Sequence, residues 1–191
     1  MENTTSMDIP MHEPVEDHLA TPAIFSPCRK YRYTLTRQLN PLHLISNDAP
    51  EIAFSDSATV AFLCLNPSTA DEHKNDPTVT RCMKYAESWG FEFFVMLNLF
   101  AWRSTSPSAM KKVIDPIGNP DNDAWINAVV KTGAPIVCAW GTHGKHHMRD
   151  SHVVSMLKNN DASMWYLHLN NDGTPKHPLY IRRTVQPKIW E

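Results

Sequence analysis

The chain has 191 residues, 42% of them hydrophobic and 20% charged, which are the proportions of an ordinary globular protein with one sizeable core. No apolar run approaches the roughly 18 residues needed to cross a bilayer, and no basic-then-apolar leader opens the chain, so neither a membrane nor a secreted protein is expected. The formal net charge of −2 excludes a strongly cationic nucleic-acid binder, and any phosphate contact has to come from a local patch.

Charge is unevenly placed. Residues 1–28 hold five acids (Glu2, Asp8, Glu13, Glu16 and Asp17) and no Lys or Arg, leaving 18 basic against 15 acidic residues in 29–191. This split reads as a loosely ordered acidic arm followed by one mildly basic domain. Cysteines 28, 64, 82 and 138 lack metal-type spacing. Reduced thiols in a cytoplasmic monomer are expected, with no metal and no cofactor.

In chain order, residues 31–37 alternate as an exposed strand would, and Asn40-Pro41 breaks them. Residues 59–65 form a buried apolar strand that stops at Asn66-Pro67-Ser68-Thr69. Asp76-Pro77 supplies an N-cap acceptor and a proline at the first helical position. Val79, Cys82, Met83 and Ala86 then share a face, and Gly90 stops the helix. Residues 91–98 are aromatic and β-branched enough for a second buried strand, ending in Asn98 with Trp102 and Arg103 after it. Ser106-Pro107 opens a short helix. Asp121 caps another, with Trp125, Ala128 and Val129 inward and Gly133 at its end. Residues 135–140 form the third buried strand, followed by a helix with Met148, Val153, Met156 and Leu157 inside. Residues 164–168 form the fourth.

Buried strands separated by helices imply right-handed parallel crossovers. The expected fold is a three-layer α/β/α sandwich around a central, mainly parallel four-stranded sheet. All four strand ends then open on one edge, where ligands of such folds bind. Each end is polar: Asn66-Pro67-Ser68, Asn98, the His143–His147 stretch, and Lys176-His177-Pro178-Leu179-Tyr180.

These four segments, in this order over residues 58–182, resemble the uracil-DNA glycosylase superfamily. Leu65-Asn66-Pro67-Ser68 is similar to its water-positioning turn, and the strand ending in Asn98 to its base-reading strand. The strand ending Trp140-Gly141 is similar to its Leu-Leu-Trp-Gly segment, and His177-Pro178-Leu179 to its His-Pro-Ser loop. The chain also resembles Asn-Pro-Ser-Thr-Ala-Asp sequences of bacteria and phages grouped as a family of unknown function. Three departures argue against plain uracil as substrate. Asn66 stands where efficient uracil excisers have Asp, Ser68 replaces a bulky Tyr, and no Ser follows His177-Pro178.

The resemblance implies hydrolysis of an N-glycosidic bond in DNA, with a modified pyrimidine flipped out of the stack and anti-phage defence as one setting. Asn66 would orient water through its carbonyl oxygen. A neutral amide cannot take the proton, so Asp71 or Asp76 is the candidate base. Asn98 either reads a base edge or merely closes a turn, and His177 would face the charge growing on the departing base. Pro67, Ser68, Trp102, Arg103, Leu179 and Tyr180 are candidate substrate contacts. His143, Lys145, His146, His147 and Arg149 form a candidate DNA-phosphate patch. Hydrolysis of free nucleosides or nucleotides, and non-catalytic recognition of a modified base, are the other readings.

Overall fold

A computed structural model of the chain describes residues 22–39 and 57–191. Most of the acidic segment and the Asn40-Pro41 break lie outside the described residues. In chain order the elements are β1 (Ala23–Phe25), β2 (Arg32–Gln38), β3 (Thr59–Cys64), α1 (Pro77–Ser88), β4 (Phe93–Asn98) and α2 (Pro107–Met110). After them come α3 (Asp121–Val130), β5 (Ile136–Cys138), α4 (Arg149–Asn159), β6 (Met164–Tyr166) and β7 (Lys188–Ile189).

The strands form one mixed sheet in the order β1-β2-β4-β3-β5-β6-β7. Pairings β4·β3, β3·β5 and β5·β6 are parallel, whereas β1·β2, β2·β4 and β6·β7 are antiparallel. The expected four-stranded, mainly parallel sheet is therefore corrected to seven strands among the described residues, with as many antiparallel pairings as parallel ones. The reason is the edges. β1 has three residues and β7 two, too few for alternation to show in sequence. Because β1 pairs with β2, folded structure also begins before residue 29.

Successive residues of a strand face opposite sides, so a central strand covered on both faces is apolar throughout. In β3, Val60, Phe62 and Cys64 join Val79, Cys82, Tyr85 and Ala86 of α1 in one core. Ala61, Leu63 and Leu65 join Ile126, Val129 and Val130 of α3 and Val153 and Leu157 of α4 in the other. These two cores give a helix–sheet–helix layering. The crossover after β3 uses one face, and those after β4 and β5 use the opposite one. The carboxyl ends of the central strands thus sit at a topological switch point, the place where such sheets leave a crevice.

Local expectations fare unevenly. Asp76 Oδ1 accepts from Val79 N at 2.9 Å as the cap of α1, and Ser106 caps α2. Asp121 is instead the first residue of α3, after Pro120, and its carboxylate accepts from the Tyr33 hydroxyl at 3.0 Å. The buried face of α3 carries Asn122, Ile126, Val129 and Val130 rather than Trp125 and Ala128. Met148 is 76% exposed, and Arg149 takes the inner position beside it. β2 is not an exposed strand: Arg32 through Thr36 are all buried.

Candidate functional site

A cleft of about 500 Å³ opens at the carboxyl edge of the parallel strands. Every strand exit contributes: Asn66 and Ser68 after β3, Ser104 and Thr105 after β4, Trp140 through His143 after β5, and Asn170, Lys176 and His177 after β6. Gly141 brings the last two exits together. Its φ of 73° is a conformation that side-chain-bearing residues rarely adopt, and its N–H donates to Pro175 O at 2.7 Å. A smaller chamber of about 30 Å³ is lined by Arg32, Asn66, Ser68, Asp76, Asn98 and His177 among others. Asn66, Ser68, Asp76 and His177 line both spaces.

The polar groups of the chamber are fixed differently. Asn66 Nδ2 donates to Pro67 O at 3.0 Å and to Ser104 O at 2.7 Å. Two carbonyl acceptors settle which end of the amide is nitrogen, leaving the Asn66 carbonyl oxygen free to accept. Pro67 contributes only its backbone, which also accepts from Ser104 N at 2.8 Å. Asn98 is 1% exposed, and its Nδ2 is buried without a partner. Its backbone carbonyl is held by Asn122 Nδ2 at 3.2 Å, so the strand end is pinned without its own side chain. His177 Nδ1 is likewise buried and unpaired. Burial pushes the His177 imidazole below its ordinary value, against a weaker pull from Asp76, and the ring is neutral at pH 7.

Asp76 is 6% exposed, and its cap bond to Val79 N occupies one carboxylate oxygen. Leu179 and Tyr180 line the outer cleft and are themselves exposed. The Tyr180 ring lies 5.9 Å from that of His177.

Several expected site residues lie elsewhere. Asp71 does not line the cleft. Its Oδ1 accepts from His73 N at 2.9 Å and Lys74 N at 2.8 Å, and these bonds close a turn and hold the carboxyl below its ordinary range. Of the two candidate bases, only Asp76 is in place. Trp102 packs edge-on against Tyr31 at 5.2 Å, and the Arg103 guanidinium lies 5.0 Å from the Phe25 ring centre. These two residues turn toward β1 and β2, and the following Ser104 and Thr105 enter the cleft instead.

The candidate phosphate patch divides. Arg149 is 2% exposed; its Nη2 pairs with Asp123, and its Nε donates to Leu99 O at 2.8 Å. It ties α4 to α3 and the β4 exit, and is no phosphate contact. Lys145 pairs with Asp172 at 2.9 Å, joining the β5 and β6 loops. His143 lines the cleft and accepts from Lys111 Nζ at 3.2 Å. The His146 ring lies 3.9 Å from that of His147, tilted by 40°, and its Nε2 is buried without a partner among the described residues. Burial lowers both His143 and His146, reinforced by Lys111 for the first and by His147 and Lys111 for the second. His147 faces a separate open groove with Met148 and His152.

Sequence reasoning missed Arg32, Ser104, Thr105 and Thr78. The serine and threonines carried no signal beyond lying in loops. Among the described residues, no group of three His, Cys, Asp or Glu side chains is placed to hold a metal ion, and no helix is long and apolar enough to cross a membrane. Neither a curated protein nor a solved structure matches the chain. A family model matches residues 32–179, a span that runs from Arg32 in the chamber to Leu179 at the cleft mouth, and the chain belongs to that family, DUF1643, described as a protein of unknown function.

Proposed function

We propose that this protein hydrolyses the N-glycosidic bond of a pyrimidine nucleotide, with the base in the cleft and its polar edge in the chamber. One observation carries the reading: Asn66, Asn98 and His177, far apart in sequence, line one chamber, and each keeps a hydrogen-bonding atom that no other described residue uses. Asn66 accepts from the attacking water and points it at the sugar. Asp76 is the one carboxylate beside Asn66 in both spaces, and it takes the proton. Neutral His177 and Asn98 meet the charge developing on the base. Ser68 leaves room beside the ring where a larger side chain would not, which suits a base with an added group. The fold, in this reading, is that of the uracil-DNA glycosylases, and the substrate is DNA carrying modified pyrimidines.

Oligonucleotides and phage DNA with different bases, incubated with the protein and then cleaved by alkali at abasic sites, test this directly. Asn66→Ala should lower base release about 100-fold or more, on the scale of losing one positioned polar group in a hydrolase, while the chain still folds. Unchanged turnover in that variant rejects the assignment.

Hydrolysis of free nucleosides or nucleotides is the second reading, and the phosphate patch favours it. With Arg149 buried and Lys145 paired, those two cations are not free to track a DNA backbone. Release of base from mononucleotides but not from DNA selects it.

A further inference from the structure

Three residues that line the chamber each carry a buried nitrogen atom without a partner among the described residues, each on a different element: Arg32 Nε on β2, Asn98 Nδ2 at the end of β4, and His177 Nδ1 in the loop after β6. Buried polar groups are nearly always paired, because an unpaired one forfeits its hydration for nothing. Three around one space indicate an acceptor that arrives with the ligand. A volume of about 30 Å³ admits one or two atoms of water-oxygen size and no ring. The ring therefore lies in the outer cleft, and only its oxo edge enters.

Arg32 sets the charge of that edge. It is 1% exposed and belongs to no ion pair among the described residues, and its guanidinium donates from Nη1 to Ala70 O at 3.0 Å. Burial draws the guanidinium down to about 10, opposed by Asp76, so it remains a cation at neutral pH. Asp76 lines the same chamber and balances its charge without an ion pair between the two.

We propose that Arg32 is a leaving-group residue of this pocket: with Asn98 and His177 it receives the oxo edge of the base and holds the base as an anion when the glycosidic bond breaks. This role rests on the base-release reading above. The bond between the anomeric carbon and the base nitrogen breaks, and its electron pair stays on the base, delocalised onto the oxo oxygen in the chamber. Water forms the new bond to the anomeric carbon, and its proton passes to Asp76. Negative charge thus moves from Asp76 to the base while Arg32 faces both positions, so the charge of the chamber does not change during the step. The base then recovers the proton and leaves as the neutral heterocycle. The substrate class follows: bases with an oxo group beside the glycosidic nitrogen, as in the 2-oxo pyrimidines. The unmodified purines, which lack an oxygen there, do not fit.

The test is calorimetric titration at pH 7 with two free bases, uracil, which is neutral there, and 5-nitrouracil, which is largely an anion. The wild type should bind 5-nitrouracil at least about tenfold more tightly than uracil, the scale of a charge-assisted hydrogen bond in a buried site. Arg32→Met should abolish that preference, and Arg32→Lys should restore part of it. A wild type without the preference overturns the role of Arg32 and leaves the base-binding reading standing, a result that needs no variant to fold. A preference that survives in Arg32→Met overturns it equally. Failure of both bases to bind overturns the base-release reading together with this one.

Discussion

The inner chamber and the stretch from His143 to Arg149 are both rich in polar side chains, and they spend them in opposite ways. Around the chamber, Arg32, Asn98 and the half-buried His177 each carry a buried nitrogen atom that no described protein group satisfies. In the other stretch the cations have partners close by, Arg149 with Asp123 and Lys145 with Asp172. A basic run at the start of a helix looks functional in sequence, yet its lysine and its arginine hold the scaffold together. A short polar residue at a strand end looks like turn chemistry, yet Asn98 leaves its turn to Asn122 and keeps its own amide free. Partnership, more than residue type, separates scaffold from site here.

The largest expected effect breaks the scaffold side of that contrast. Arg149→Met keeps the apolar stem and removes the guanidinium, leaving Asp123 Oδ1 without its donor and the Leu99 carbonyl with Asn122 alone. Removing one member of a buried pair is strongly destabilising, and a loss of about 3 kcal/mol is expected in denaturant unfolding because Asp123 keeps some access to water. Uracil affinity should stay unchanged. A small loss of stability with a large loss of binding would move Arg149 into the site after all.

What sequence could foresee follows the same line. Asp76-Pro77 and Ser106-Pro107 announced their helices because an N-cap acts within three residues of itself. The polar ends of the buried strands were legible because a parallel sheet sends them all to one edge. Arg149 was not legible as scaffold, because its partner Asp123 sits on another helix, 26 residues earlier. Arg32 was hidden by an alternating run that suits a half-exposed strand, and only α3 against β2 and the cleft loops make both its faces interior. The choice between Trp102-Arg103 and Ser104-Thr105 depends on the path of the loop after β4, which side-chain chemistry does not encode.

A middle-sized effect sharpens the site side. Asn98→Leu replaces a buried amide that lacks a partner with an apolar group of similar branching. Removing an unsatisfied polar group is near neutral or favourable, so stability should hold or rise by up to about 1 kcal/mol. The Asn122 bond to the backbone of residue 98 survives the change. Base binding should be lost. A variant that is both weaker in the fold and unimpaired in binding would return Asn98 to the scaffold and erase the contrast between the two regions.

The smallest effect concerns protons. The folded chain lowers the affinity of His177 for a proton, chiefly by burial, with Asp76 opposing and the Arg32 cation in the same chamber. Below the ordinary histidine value of about 6.5 the unfolded chain therefore binds a proton that the folded chain still refuses. The contribution of neutral His177 to stability is complete above that pH and declines as the pH falls toward the lower folded value. His143 and His146 decline with it, since both are lowered too. Comparison with His177→Asn isolates the chamber's share: wild type should lose stability more steeply than the variant below pH 6.5, and the two should run parallel above it. Parallel curves throughout would mean that His177 meets solvent as freely as His147 does, and that water already satisfies the nitrogen assigned here to the ligand.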